Sequence, residues 1–359
     1  MTKAFGYAAH SHDTPLVPFT FERRALRSND VQVEVLYSGV CHSDMHAAHG
    51  DWDGTIFPDG TVYPIIPGHE VVGRVTAVGK GVTKYKTGDI VGVGTMVDSC
   101  QECAACKEGL EPYCLNAATW TYNSPDRITG ENTLGGYSNL IVVREEFVLR
   151  VSHNAEDLAA VAPLLCAGAT MWSPLKHWNV GPGKKVGIVG IGGVGHMGVK
   201  LAHALGAHVV AFTTSPSKRE DALRLGADSV VVSTNPEEMA AHAGTFDLII
   251  NTVAVSHNLD PFVGLLKRDG TLTLVGIPAE PHNSPSVAYL IGGRRNLAGS
   301  LVAGLPETQE MLDFCARHGV VSDVEMIRIQ DIQTAFSRMS KNDVKYRFVI
   351  DMASIKEGQ

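Results

Sequence analysis

Nowhere does an apolar run approach the ~20 residues that a membrane-spanning helix requires. That argues against a membrane protein of the helical kind. The first residues lack the long apolar core of a signal peptide, so a cytoplasmic location is expected. Positive charge is also in short supply. Lys and Arg number 30 against 38 Asp and Glu, and the net charge of −8 offers no electrostatic footing for nucleic acid or an anionic membrane. Internal repeats and low-complexity segments are absent. Cysteine is scarce: the seven are an odd number, and four of them crowd between Cys100 and Cys114. In a reducing compartment such a cluster reads as metal ligands before disulfides. What remains is 359 residues, 44% hydrophobic and 19% charged, the balance of a soluble globular enzyme with about two domains.

Around residues 185–205 the pattern is dense. An apolar run at 185–189 reads as a buried strand, and Gly190, Gly192 and Gly195 form a G-x-G-x-x-G turn that opens a helix. The glycines serve a tight turn, close approach of a pyrophosphate to backbone, and packing of helix on strand; the helix N-terminus offers its N–H groups to phosphate. Gly193 and Val194 lie within the same turn. Further strands are predicted at 208–213, 229–232, 247–253, 271–275 and 296–301, with helices at 218–225 and 259–266 among them. Strands alternating with helices describe an α/β, doubly wound parallel sheet.

Upstream, strands are predicted at 31–40 and 71–78, among closely spaced glycines typical of an irregular β-domain. Between them fall Cys41, Ser43, Asp44 and His46, then His69 and Glu70, groups that bind metal or move protons. Cys100, Cys103, Cys106 and Cys114 have the spacing of a closed tetrahedral zinc site, architectural in function. Residues 157–178 read as helical and contain Cys166, which on its own is a small buried hydrophobe. One helix (308–318) and a final strand (346–351) end the chain and are expected to return to the first lobe.

Cys41, His69 with Glu70, the four-cysteine cluster, Cys166 and the glycine turn occur in the order of the zinc-dependent medium-chain alcohol dehydrogenases. The chain resembles that family over essentially its whole length. The motifs GVCHSDMH at residues 39–46 and LLCAGAT at residues 164–170 resemble its cinnamyl-alcohol-dehydrogenase branch, which includes bacterial broad-range NADPH aldehyde reductases. The resemblance implies a GroES-like β-domain from residues 1–160 and 304–359, with a structural-zinc lobe at 95–117. A Rossmann domain would span 161–303.

It implies two Zn²⁺ per subunit. One is structural, on the four-cysteine cluster; the other is catalytic, on Cys41, His69 and Cys166, with Glu70 a transient ligand. Two thiolates and an imidazole neutralise Zn²⁺ and leave a position open. Asp44 would fix the ring of His69, with a simple turn role as the alternative, and Ser43 would pass the alcohol proton toward His46. Trp120 matches by position a pocket-lining tryptophan of the branch; Trp52 and Leu301 would border the cleft, although Trp52 serves equally as core.

At the end of the second Rossmann strand, Thr213, Thr214 and Ser215 lead to Lys218 with no acid before Glu220. An acid there would repel a 2′-phosphate, whereas hydroxyls followed by a cation suit one, so NADP(H) is expected. The implied reaction is hydride transfer between NADP(H) and primary alcohols or aldehydes, aromatic or medium-chain. The family also implies a homodimer. An NAD-linked secondary-alcohol or polyol dehydrogenase is the rival reading, disfavoured by residues 213–219 and by Cys166. A non-catalytic NADPH-binding sensor is another, disfavoured by the complete set of ligand candidates.

Overall fold

Apolar and polar residues alternate through much of the first 150 positions, and strands result. The computed structural model describes residues 1–283 and 285–358. Its first strands are β1 (Thr2–Ala8), β2 (Val17–Arg23), β3 (Asp30–Val40), β4 (Val71–Val78), β5 (Ile90–Val93), β6 (Met96–Asp98), β7 (Thr119–Trp120), β8 (Leu140–Arg144) and β9 (Leu149–Arg150). β1 and β2 pair as an antiparallel hairpin, and β6 pairs with β7. β3 organises the main sheet, antiparallel to both β4 and β8, and β4 continues through β5 to β9. Its period of two places Val31, Val33 and Val35 inside while Gln32 and Glu34 reach toward solvent.

The second set is β10 (Lys185–Val189), β11 (His208–Thr213), β12 (Ser229–Val232), β13 (Phe246–Asn251), β14 (Leu266–Leu274) and β15 (Asn296–Gly299). All are parallel, in the order β12-β11-β10-β13-β14-β15. The order reverses between β10 and β13, and at such a switch point ligands bind beyond the strands' carboxyl ends. Val189, Phe212, Phe246, Ile249, Val263 and Leu272 belong to one buried cluster of this unit. β13 stops at Asn251, two residues short of expectation, because the Asn251 side chain accepts the Val253 N–H and turns the chain out of the ladder. β14 starts five residues early, since helix Asp260–Leu265 runs straight into it.

The closing segment adds helix Leu305–His318, β16 (Val324–Arg328), helix Ile332–Ser340 and β17 (Arg347–Asp351). β17 pairs antiparallel with β3 and parallel with β16. The sequence reading had neither β16 nor the second helix. Ile332, Ala335, Phe336 and Met339 form a helical stripe, buried in the structure, but the segment is only nine residues long.

A second correction concerns residues 157–178, which are not one helix. They break into a 3-10 turn Ala155–Asp157, helix Leu158–Val161, 3-10 turn Ala162–Leu165 and helix Ala167–His177. Pro163, without an N–H, suits the start of the second 3-10 turn, and Cys166 has non-helical dihedrals.

The chain divides into two compact units, Met1–Cys166 with Ala303–Gln359, and Ala167–Val302. Residues 161–166, expected to open the second domain, therefore pack with the first. A Cβ on Gly92 would come within 2.9 Å of Leu165 Cδ2, a measure of how closely β5 holds that turn. Among the described residues no single helix is long and apolar enough to cross a membrane.

Candidate active site and metal centres

β3 delivers Cys41 to the N-cap of helix His42–His49, which places Asp44 at the third helical position. Asp44 is fully buried and gathers four hydrogen bonds. Oδ2 accepts the Cys41 N–H (2.9 Å) and the Tyr137 hydroxyl (2.9 Å); Oδ1 accepts the Gly68 N–H (3.0 Å) and His69 Nδ1–H (2.9 Å). Gly68 has a φ of +103°, and a Cβ there would meet Tyr137 N at 2.6 Å, so only glycine brings His69 into reach. With its Nδ1–H engaged by Asp44, His69 keeps Nε2 for the site, the nitrogen from which a bound metal would displace the proton.

Donor atoms of Cys41, His69, Glu70 and Cys166 all lie within 4.8 Å of one another, and all four residues are buried. The Cys166 thiol beside it, with help from Arg347 and His69, holds the Cys41 thiol well below the usual range against the cost of burial. Cys166 is pushed up by Cys41 and by burial. His69 resists burial and stays well above the ordinary imidazole range because of Asp44 and Cys41. Burial lifts Glu70 to about 7, although Arg347 opposes this. Glu70 Oε1 is paired with Arg347 and lies 3.8 Å from His69 Nε2, while Oε2 is buried without a hydrogen-bond partner. Two thiols, an imidazole and a carboxylate gathered in one buried space fit a divalent soft-to-borderline metal such as zinc.

Ser43 Oγ stands 3.5 Å from Cys41 Sγ. His46 Nδ1 is 2.8 Å from Asp51 Oδ2, and its half-exposed ring lies 5.5 Å from that of Trp52. Trp120 is half-buried in β7, with its carbonyl held by Thr133 Oγ1. Leu301 follows β15 in the other compact unit.

The second group, Cys100, Cys103, Cys106 and Cys114, also keeps its sulfurs within 4.8 Å of one another. Backbone N–H groups point at them, from Cys103 to Cys100 Sγ (3.4 Å) and from Leu115 to Cys103 Sγ (3.5 Å). Such backbone donors lower the Cys100 thiol to about 6, whereas burial raises Cys106 to about 12 despite the Ser99 hydroxyl at 3.2 Å. The cluster fits a closed four-thiolate zinc site.

In the second unit the glycine turn joins β10 to helix Gly195–Ala204, with Val194 at its N-cap. Gly190 has a φ of +89°, and a Cβ on Gly195 would sit 1.8 Å from Gly190 O. Gly192 differs: a Cβ there would meet nothing within 4 Å. Neither packing nor backbone demands that glycine, so the open space fits a ligand lying against the turn, as a dinucleotide's diphosphate does. At the end of β11, Thr213 Oγ1 accepts the Ser215 N–H (3.1 Å), and Ser215 Oγ meets Ser217 Oγ at 2.8 Å. Thr214 is exposed beside them, and Lys218 Nζ reaches back to Ile191 O in the turn (3.1 Å). Arg219 turns elsewhere, to Val230 O and Glu238.

Tyr122, Tyr137 and Arg347 escaped the sequence reading. Arg347 is separated from Glu70 by 277 positions, and only a charge heading the apolar strand β17 hinted at it. Tyr122 sets its ring 5.7 Å from that of His69.

Residues 27–153 match the family described as alcohol dehydrogenase GroES-like domain, and residues 193–317 match the zinc-binding dehydrogenases. An aldehyde reductase of Escherichia coli, YahK, is 61% identical over 99% of this chain and 99% of its own length. A cinnamyl alcohol dehydrogenase of Sorghum bicolor has a similar structure, with TM-score 0.92 and 44% identity, covering 98% of each chain. The CAD of Helicobacter pylori, solved with NADP(H), gives TM-score 0.90 and 41% identity over 98% of this chain and 99% of its own.

Proposed function

The chain belongs to the zinc-binding alcohol dehydrogenase family, and from that premise we propose that it is an NADP(H)-dependent alcohol dehydrogenase and aldehyde reductase. Its substrates are primary alcohols and aldehydes of aromatic or medium-chain type. The observation that carries the reading is the buried set of Cys41, His69 and Cys166, with Asp44 fixing the His69 tautomer. Those three residues hold the catalytic zinc, Glu70 serves as a transient ligand, and the four-cysteine cluster holds a second zinc. When bound, the zinc supplies Lewis acidity toward a carbonyl oxygen and the nicotinamide supplies the hydride.

The chain's own residues do the rest. Ser43 handles the alcohol proton beside Cys41, and His46, oriented by Asp51, exchanges it with solvent. The glycine turn receives the diphosphate, and Thr213, Thr214, Ser215 and Lys218 take the 2′-phosphate. Trp52 and Trp120, in the first compact unit, border the substrate. The first compact unit is the catalytic domain and the second the dinucleotide domain.

The protein acts in the cytoplasm as a homodimer, and the net charge of −8 supports the absence of nucleic-acid and membrane partners. Exposed Val287, Tyr289, Ile291 and Leu297, on or beside the edge strand β15, support pairing of two sheets edge to edge.

The test is NADPH oxidation with benzaldehyde or cinnamaldehyde, beside NADH and beside a metal-stripped sample. Fast turnover with NADPH, slow with NADH and none without metal is expected. Turnover with NADH alone would overturn the cofactor assignment.

A further inference from the structure

Five consecutive carbonyls of the glycine turn are captured by three side chains. Thr252 Oγ1 lies 2.8 Å from Val189 O and 3.1 Å from Gly190 O. Lys218 Nζ donates to Ile191 O (3.1 Å). His196 Nδ1 donates to Gly193 O (2.9 Å) and lies 3.2 Å from Gly192 O. A carbonyl oxygen can only accept, so His196 carries its hydrogen on Nδ1. This imidazole is fully buried in the first turn of helix Gly195–Ala204, beneath the two residues nearest the open space at Gly192.

A phosphate is itself an acceptor, and a carbonyl swung toward it would repel it. Tying the carbonyls back leaves the peptide N–H dipoles as the face the turn can present. The Gly192 carbonyl is also held by the His196 backbone N–H (3.0 Å), which leaves the imidazole's one hydrogen for Gly193 O. We propose that His196, through Nδ1–H, is the positioning residue that sets the peptide plane joining Gly193 to Val194 to receive the cofactor's diphosphate. The proposal rests on the dinucleotide reading given above. His196 touches no substrate; it acts by preorganising the turn, so that less ordering remains when the dinucleotide binds.

Asparagine can place an amide N–H where Nδ1–H stands, glutamine extends its donor to the Nε2 position, and alanine has none. Dissociation constants of the full-length protein are measured for NADPH, for 2′-phospho-ADP-ribose, and for 2′-AMP, which lacks the diphosphate. His196→Gln and His196→Ala should each weaken NADPH and 2′-phospho-ADP-ribose by about tenfold and leave 2′-AMP unchanged. His196→Asn should stay within about twofold of the unsubstituted protein for all three ligands. The proposal is overturned if Asn loses as much as Gln, or if 2′-AMP weakens in step with NADPH, either of which would mark a packing role. An undiminished NADPH affinity in Gln overturns it as well. If the unsubstituted protein fails to bind NADPH and 2′-phospho-ADP-ribose, the dinucleotide reading itself falls.

Discussion

Asp44→Asn changes little in shape and removes half of what that position accepts. The carboxylate takes two donors on each oxygen: Cys41 N–H and Tyr137 O–H on Oδ2, Gly68 N–H and His69 Nδ1–H on Oδ1. An amide has one oxygen, so two of the four must face an NH₂ group. With NH₂ at the Oδ2 position, Tyr137 can turn to accept, but the Cys41 N–H cannot. With NH₂ at Oδ1, the Gly68 N–H is stranded and His69 must move its proton to Nε2, the nitrogen left to offer a metal. Either way two bonds to a charged acceptor are lost at a fully buried site. At ~1.5–3 kcal/mol each, the loss is about 3–6 kcal/mol of unfolding free energy. Zinc affinity at the Cys41 site should fall about 10–100-fold, as for other residues that orient a ligand. Urea unfolding of the apo protein reads the first effect. Chelator competition with counting of retained zinc reads the second, and one zinc per chain should survive on the four-cysteine cluster. An unchanged midpoint together with two retained zincs would refute the four-bond account of Asp44.

Gly192→Ala should fold and melt normally, because its Cβ enters open space, yet bind NADPH more weakly. Gly195→Ala should lower both melting temperature and affinity, since its Cβ falls 1.8 Å from Gly190 O. Equal behaviour of the two variants, in melting scans and NADPH titrations, would contradict the assignment of that space. Asp126 resists the effect of burial and is held at about 2 by Arg27 and by the Thr129 and Ile128 amides. A carboxylate depressed in the folded state adds stability above its ordinary range and loses it as pH falls through its folded value. Asp126→Asn should therefore cost about 1 kcal/mol at neutral pH, after discounting for solvent screening, and progressively less as pH falls from the ordinary carboxylate range through the folded value. Acid titration of both proteins checks that convergence. Trp120→Ala should reorder the kcat/KM ranking of aromatic against short aldehydes with little change in melting temperature; an unaltered ranking would remove Trp120 from the pocket.

The legible part of this protein is local. β10, β11 and β12 begin and end where the apolar runs predict, because a buried parallel strand needs nearly every residue apolar and is bounded sharply by what is not. The four-cysteine cluster and the glycine turn are legible for the same reason: their chemistry is complete within about fifteen residues of chain. Cys166 is different. Its surroundings in sequence are those of a core helix, and only the family resemblance lifted it out. In the structure the break of the helix after Leu165, and the packing of Leu165 against Gly92, bring its sulfur to Cys41 and His69. Neither the partner of Arg347 nor that of Tyr137 is legible in the sequence, since they meet Glu70 and Asp44 across 277 and 93 positions. Spacing along a chain encodes groups that one turn or one loop can gather. A buried charge finds its partner only when separate strands share a sheet, so its identity was settled by β3, β4 and β17 lying side by side.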